Sequence, residues 1–304
     1  MGKWRASILE INSVTADVKE VLLKVVDADF AFLAGQCVYF FAPGVEKSAA
    51  LSIASTPLLL KQTRSFHVVV KNSRFPPIAW IHNEAKPGDD VEVTVGGTLT
   101  MTPDEQAGPL LFIAGGIGIT PLYSLLRDTV EQQSASVCAT LLYMACGPQA
   151  HVLWQRLLDL EELAKHQGSC LRCVFFDTSK DAAGKLPHSD APIAAPGCWG
   201  AFSFLRSGKK NAVLPADTLV AGKEDAQSVV VAGAKSHVKP SYKVEKGRVG
   251  PNQLKQALAD LGHLGASQSP TAFLCGPPQM SDALEGQLLQ LGLPKNSVRL
   301  ERWW

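Results

Sequence analysis

Residues 110–121 read Leu110-Leu-Phe-Ile-Ala-Gly115-Gly116-Ile-Gly118-Ile-Thr120-Pro121, an apolar run followed by a glycine-rich turn and the start of a helical pattern. Such glycines let the backbone approach a pyrophosphate closely, and a helix N-terminus adds unpaired N–H donors. Thr120 can cap the helix or donate to a phosphate, and Pro121 suits a first helical turn. A tight turn without a ligand could use the same glycines, but the strand–turn–helix order favours a dinucleotide site.

Residues 273–280, Phe-Leu-Cys-Gly-Pro-Pro-Gln-Met, form a second apolar strand that opens into a helix. Ligands of open α/β sheets bind at the carboxyl ends of strands, near the point where the strand order reverses. We therefore expect Cys275, Gly276, Pro277 and Met280 to contact the same cofactor. The thiol of Cys275 could pack beside a nicotinamide ring; the alternative is a small buried hydrophobic residue.

Outward from these two motifs, strands and helices alternate from residue 109 to the C-terminus. The strand at 110–114 is apolar along its whole length, as expected when both faces of a sheet are covered. This alternation predicts an α/β domain with a doubly wound parallel sheet. The predicted strands are 110–114, 137–144, 170–177, 271–274 and 297–301, and the predicted helices are 121–130, 152–166, 253–261 and 280–291.

Residues 4–96 follow a different pattern, with short β-branched and aromatic runs separated by Gly and Pro. One helical stretch begins at Pro76-Pro77. This pattern predicts a small antiparallel β-barrel, so we divide the chain into domains 1–104 and 105–304. The predicted strands of the barrel are 8–14, 18–26, 38–41, 50–54, 65–70 and 91–95.

The strand–helix alternation is interrupted between Thr178 and Lys246, where Ala, Pro, Gly, Ser and Lys dominate. A structureless loop of this length is uncommon inside a compact domain, so we interpret the segment as an insertion. From Arg206 to Lys246 it carries eight Lys/Arg and four Asp/Glu, a local charge of +4. A hairpin at 218–234, a docking surface and a tolerated insertion without a role all remain open.

Composition narrows the classes of function. The 304 residues are 46% hydrophobic with a net charge of +1, which favours a large core and gives no general attraction to nucleic acid. No apolar run reaches the roughly 20 residues of a membrane span. The seven cysteines, an odd number, and the lack of a signal or transit pattern favour reduced thiols inside the cell. Cys170-Leu-Arg-Cys173 has redox or zinc spacing, but without a second pair we expect no metal site.

The motif Gly-Gly-x-Gly-x-x-Pro at 115–121, together with Cys-Gly-Pro-Pro-x-Met at 275–280, resembles the ferredoxin–NADP reductase superfamily. A narrower likeness, at 70–72 and 76–83 and in the terminal Trp-Trp, is to the oxidoreductase NAD-binding domain-containing family. The resemblance implies a flavin-type barrel followed by an NAD-binding domain; it also implies a mitochondrial location, the cytoplasm being the alternative. Shorter matches lie at 34–36, 51–55, 87–89, 247–249 and 301–304.

The flavin motif of the superfamily, Arg-x-Tyr-Ser, is reduced here to Ala49-Ala50-Leu51-Ser52. Ser52 remains, and Ile78 stands where a Ser or Thr would hold the second phosphate. A charge-assisted hydrogen bond to phosphate contributes about 1.5–3 kcal/mol, so we expect FAD to bind weakly or not at all.

The resemblance also assigns the C-terminus, where an acidic residue acts on the flavin and an aromatic residue covers its ring. Glu301 is the candidate acid, and Trp303 or Trp304 is the candidate cover. The alternative is that both indoles fill an empty groove.

Residues 144–148 carry no charge where NADP-specific relatives place Arg or Lys, which favours NADH over NADPH. Arg156 or Lys165 is the alternative source of a cation.

The sequence leads to two hypotheses on function. The first is an NAD(P)H-dependent oxidoreductase that passes hydride to a weakly held or exchangeable flavin and on to an unknown acceptor. The second is a catalytically degenerate nucleotide-binding sensor or assembly subunit.

Overall fold

The computed structural model describes residues 2–132, 137–179, 244–263 and 269–302. Its first part is an antiparallel sheet with the strand order β4-β3-β6-β1-β2-β5. A bridge between Ile53 and Val68 joins the end of β4 to β5, which closes the sheet into the predicted barrel. The strands are β1 Trp4–Ser13, β2 Val18–Val25, β3 Cys37–Phe41, β4 Ser48–Ser52, β5 Ser65–Lys71 and β6 Asp90–Gly96.

Alternating side chains of these strands fill the barrel. The stacked rings of Phe30 and Phe66, with centroids 5.3 Å apart, lie in its core. Helix α2 (Pro76–Asn83), which Pro76-Pro77 predicted, adds Trp80 and Ile81 to that core. Helix α1 (Pro57–Thr63) is not among the predicted elements, because a proline between two strand-like runs is as typical of a turn as of a first helical turn.

The second part is a parallel sheet with the strand order β10-β9-β8-β7-β11-β12, as the alternation predicted. The order reverses between β7 and β11, which lie side by side. Its strands are β7 Pro109–Gly115, β8 Cys138–Ala145, β9 Cys170–Asp177, β10 Val244–Lys246, β11 Thr271–Gly276 and β12 Val298–Arg302. Its helices are α3 Pro103–Gln106, α4 Ile119–Gln132, α5 Trp154–His166, α6 Pro251–His263 and α7 Pro278–Gln290.

Both faces of this sheet are covered, which explains why its central strand β7 is apolar and buried along its whole length. On one face, Leu111 and Leu142 share a core cluster with α6 and α7. On the other, Phe112 and Leu141 pack against α4 and α5. Glycine-rich turns at the ends of such strands are consequently held by a rigid core on two sides.

Helix α4 connects the sheet to the barrel. Its Leu122 and Leu125 share one buried cluster with Val18 and Val69 of the barrel. The hydroxyl of Ser124 donates to the Ser55 carbonyl at 2.6 Å and accepts from the backbone N–H of Gly35 at 3.3 Å. The predicted domain division at 104/105 lies between β6 and β7, inside the short helix α3, and it stays a prediction.

The predicted insertion ends earlier than the sequence indicated. Val244–Lys246 forms the edge strand β10, paired in parallel with residues 175–177 of β9. A strand of three residues is too short to show a pattern of its own. The rest of the insertion, residues 180–243 with the hairpin considered at 218–234, lies outside the described residues. None of the helices described is long and apolar enough to cross a membrane.

Candidate functional site

The two glycine-containing turns meet at the point where the strand order reverses. Ala114 of β7 is the register partner of Cys275 of β11, so both strands end together. A Cβ added to Gly118 would overlap the Cys275 carbonyl and lie 2.8 Å from the Gly276 nitrogen. A Cβ added to Gly276 would lie 3.1 Å from the Cα of Gly115. These glycines are needed because the two turns touch backbone to backbone.

Gly116 has a different reason to be glycine. Its φ is +54°, and nothing lies within 4 Å of a Cβ built there. The backbone of the turn therefore borders open space, and Gly116 begins the single 3-10 turn (Gly116–Gly118) that leads into α4 at Ile119. Open space beside a helix N-terminus fits an anionic group such as a pyrophosphate.

The next predicted residues hold the turn rather than face this space. The Thr120 hydroxyl, which is 1% exposed, donates to the Ile117 carbonyl at 2.9 Å, and Pro121 is buried in the first turn of α4. A Cβ on Gly115 would contact Pro277 and Met280, so these side chains pack on the glycine. Thr120, Pro121, Pro277 and Met280 therefore shape the site from behind.

The C-terminal strand brings an acid to the same place. Glu301 of β12 is the register partner of Cys275, and it lies near Cys37 of the barrel strand β3. Burial, reinforced by the nearby charge of Glu301, raises the pKa of the Cys37 thiol to about 12. Cys37 in turn pairs with Ser52 of β4. Ser52 and Cys37 of the barrel thus converge on Cys275 and Glu301 of the parallel sheet.

Sequence reasoning missed Cys37, and it also missed Tyr39 two residues further on. Residues two apart on a strand share a face, so Tyr39 lies on the same outer face of the barrel as Cys37 and Ser52. Its side chain is 42% exposed and its ring lies against Gly96. The pattern of the strand could have indicated this, because Tyr39 stands between the buried Val38 and Phe40.

The positions of the lost flavin ligands face the other way. Ala49 and Leu51 pair with Phe40 and Val38, and their side chains lie in the barrel core with 3% and 4% exposure. Ile78 packs into the same core. These three positions therefore offer no group to a phosphate or a flavin ring.

A lysine stands elsewhere beside the start of the barrel helix. The N-terminus of α2 has no side-chain cap and no acidic residue in its first turn. The exposed Lys47 places its Nζ 6.0 Å from the centroid of the Phe75 ring, and Phe75 is the residue that precedes α2. Sequence reasoning missed Lys47 because this residue precedes the reduced flavin motif Ala49–Ser52 and is not part of it.

Arg156, considered above as a cation for the nucleotide, binds the barrel instead. Its Nη1 and Nη2 lie 2.8 and 2.7 Å from the two carboxylate oxygens of Glu20, which is 2% exposed. His67 Nδ1 lies 3.3 Å from the same carboxylate. Burial alone would raise the pKa of Glu20, but the His67 hydrogen bond and the Arg156 charge hold it below its usual value.

The other cation considered, Lys165, lies in the last turn of α5 and ion-pairs with Glu162 at 3.9 Å. A helix that connects parallel strands runs back along the sheet, so its last turn lies at the amino edge. Lys165 is thus at the far edge from the glycine turns.

Asp177, at the carboxyl end of β9, anchors the loop that follows β8. Its carboxylate accepts from the backbone N–H groups of Gly147 and Ser179, each at 2.9 Å, and from Lys246 Nζ at 2.6 Å. Burial would raise the pKa of Asp177, but the Lys246 and backbone hydrogen bonds hold it well below its usual range. The loop after β8 is therefore fixed by a carboxylate that sequence reasoning did not consider.

The remaining predicted residues, Trp303 and Trp304, lie outside the described residues. The part of the chain that is described contains no group of three or more His, Cys, Asp or Glu side chains that could hold a metal ion. The candidate site accordingly consists of the two glycine turns with Cys275 and Glu301, and of the barrel face with Cys37, Tyr39 and Ser52.

Comparison with known proteins agrees with this architecture. Oxidoreductase NAD-binding domain-containing protein 1 of Danio rerio is 28% identical over 309 residues, covering 100% of this chain and 93% of that protein. The phenol 2-monooxygenase reductase component DmpP of Pseudomonas sp. (strain CF600) is 23% identical, covering 99% of this chain and 65% of that protein.

Among solved structures, a ferredoxin NADP+ reductase from Neisseria gonorrhoeae with bound FAD and NADP superposes with a TM-score of 0.65. The alignment covers 100% of both chains at 16% identity, so it speaks for the fold alone. The model of the ferric reductase NAD binding domain matches residues 108–288, more than half of the chain. The chain therefore belongs to the ferric reductase NAD binding domain family.

Proposed function

We propose that the protein is an NAD(P)H-dependent oxidoreductase that passes hydride to a weakly held or exchangeable flavin and on to an acceptor still to be identified. One observation carries the proposal. Cys275 and Glu301, at the ends of β11 and β12, converge with Cys37 and Ser52 on the barrel face. A nucleotide bound at the glycine turns would present its nicotinamide to that convergence.

The residues of the glycine turns fit a nicotinamide dinucleotide. The open space at Gly116 and the N-terminus of α4 suit the pyrophosphate. Cys275 is 0% exposed and packs in the core cluster of the sheet, so it would support the turn behind the ring as a small buried residue. We propose a preference for NADH, because the exposed Cys146 and its neighbours carry no charge and Arg156 is bound to Glu20.

The barrel face fits a flavin only in part. When bound, a flavin would accept hydride and deliver electrons to the acceptor. Ser52 would bind its ring edge, Tyr39 would offer an aromatic face, and Lys47 with the start of α2 would attract a phosphate. Glu301 would hold or donate a proton beside the ring. Weak binding is expected because Ala49 and Ile78 are packed in the barrel core.

That core packing also favours the second candidate, a nucleotide-binding sensor or assembly subunit without catalysis. In this case the protein binds the dinucleotide at Gly115–Pro121 and has no working flavin site. The two candidates also differ in the role of Trp303 and Trp304. In the oxidoreductase they would cover the flavin ring, and in the sensor or assembly subunit they would fill the empty groove.

A visible absorption experiment separates the two candidates. We expect the purified protein to carry little flavin, to bind added FAD measurably, and to bleach the flavin absorption when NADH is added without oxygen. Free FAD with NADH at equal concentrations is the control for the uncatalysed reaction. NADH binding in calorimetry without any bleaching beyond that control would leave the sensor as the function.

A further inference from the structure

Two cysteines lie side by side at the amino-terminal ends of neighbouring strands. Cys138 and Cys170 are the first residues of β8 and β9 and are register partners. Neighbouring strands lie about 4.8 Å apart, and partners in register point to the same face. A disulfide spans Cα atoms about 4.4–6.8 Å apart, so the backbone places this pair within reach.

The spacing Cys-x-x-Cys in the sequence does not produce the pair it suggests. Residues three apart on a strand point to opposite faces. Cys173 packs among residues that face α4 and α5, and its Sγ lies 3.9 Å from the Leu157 carbonyl. Cys138 packs on the face covered by α6 and α7. Cys170, as the register partner of Cys138, shares that second face, away from Cys173.

Exposure sets the order in which the two thiols react. Cys170 is exposed and Cys138 is partly buried, and both are free thiols in the structure. Burial, followed by the neighbouring Cys170, raises the pKa of Cys138. The exposed member of the pair is therefore the one that an oxidant in solution reaches first.

We propose that Cys138 and Cys170 are a redox modification site that forms a reversible disulfide with low-molecular-weight disulfides as oxidants. The Cys170 thiolate attacks one sulfur of the oxidant, breaks its S–S bond and releases one thiol. The Cys138 thiolate then attacks Cys170 Sγ in the mixed disulfide and releases the second thiol. The two protons of the protein thiols end on the two released thiols; the protein loses two electrons and the oxidant gains them.

The position of the cross-link predicts its consequence. It joins the amino ends of β8 and β9, whereas the glycine turns and Asp177 lie at the carboxyl ends. Oxidation should raise the melting temperature, because it constrains the unfolded chain, and leave NADH affinity unchanged.

The test is incubation of the reduced, full-length protein with glutathione disulfide, followed by peptide mapping and titration of thiols after unfolding. We expect a cross-linked peptide containing Cys138 and Cys170, the loss of two titratable thiols, and recovery with dithiothreitol. Cys138→Ser and Cys170→Ser should each abolish the cross-link. Cys146→Ser is the control: it removes an exposed cysteine that directly follows β8, and the cross-link should still form.

Two results would overturn the proposal. One is a stable glutathione adduct on Cys170 while Cys138 stays reduced. The other is a cross-link between Cys170 and Cys173. Circular dichroism of each serine variant confirms that it is folded before its thiols are counted.

Discussion

Arg156 in the first turn of α5 binds both carboxylate oxygens of Glu20 in the barrel strand β2, at 2.8 and 2.7 Å. The side chains are 19% and 3% exposed, so the ion pair is largely shielded from water. The ion pair connects α5 of the second domain to the barrel, and it lies outside both sequence motifs, 115–121 and 275–280.

We expect Glu20→Gln to lower the free energy of unfolding by about 3–5 kcal/mol, because it leaves a buried guanidinium without its counter-charge. Urea unfolding at neutral pH measures this. Glu92→Gln is the matched control, since Glu92 and Lys3 form an ion pair with both side chains 49% exposed; it should cost at most about 1 kcal/mol. Equal losses in the two variants would contradict the prediction.

The same pair predicts a dependence on pH. The folded-state pKa of Glu20 lies below its usual 4.5, so its contribution is present above that value and is lost as the pH falls through the folded value. Wild-type stability should therefore decline more steeply in acid than that of Glu20→Gln. Parallel curves for the two proteins would assign the acid sensitivity to other groups.

Gly116→Asp should weaken NADH binding by at least about tenfold, since it places a carboxylate in the open space beside the start of α4. Gly116→Asn is the matched control, because Asn and Asp both tolerate the φ of +54° while Asn brings no charge. Isothermal calorimetry should show a larger loss for Asp than for Asn. An unchanged NADH affinity in the Asp variant would mean that the pyrophosphate does not bind at this turn.

Cys146→Arg should strengthen NADPH binding by about tenfold and leave NADH binding nearly unchanged. The side chain is exposed directly after β8, and a guanidinium there can pair with the extra phosphate. Cys146→Gln controls for size and polarity. If the wild-type protein already binds both nucleotides equally, another cation serves the phosphate and the proposed NADH preference is wrong.

Tyr39→Ala should weaken FAD binding by about tenfold through the loss of an aromatic surface, whereas Tyr39→Phe should keep it. Quenching of flavin fluorescence on titration gives both constants. A similar loss of FAD affinity in the two variants would indicate a role of the hydroxyl. No loss in either variant would mean that the flavin does not bind on this face of the barrel.

Lys47→Ala should also weaken FAD binding, and the difference from wild type should shrink as salt is raised, because the group is exposed. Lys61→Ala, an exposed lysine in the last turn of α1, is the control for a general change in charge. Equal effects of the two substitutions would mean that the phosphate is not held at α2.

Local patterns predicted the elements well, because strand and helix periodicities and Pro/Gly turns are properties of neighbouring residues. The predicted strand 170–177 is the observed β9, and both glycine turns lie where expected. The alternation along β3 marks Tyr39 as an outward-facing aromatic residue between Val38 and Phe40, but it does not show what that face borders. Glu20 could not be found this way, because its partner Arg156 lies 136 residues away and only the packing of α5 on the barrel brings the two together.

The comparison with the flavin motif predicts only part of what the structure shows at these positions. It indicated lost ligands at Ala49 and Ile78, but not that both side chains belong to the barrel core. The burial of Ala49 depends on the strand register across β3 and β4, and that of Ile78 on how α2 packs against the barrel; an isolated motif contains neither.

Asp177 binds the backbone of Ser179 on one side and Lys246 on the other, so the chain leaves the sheet and returns to it beside a single carboxylate. We therefore expect that the intervening residues can change in number without altering the strands that flank them. For protein engineering this makes the segment after Ser179 a natural splice point, where a fluorescent reporter could be grafted close to the nucleotide edge of the sheet.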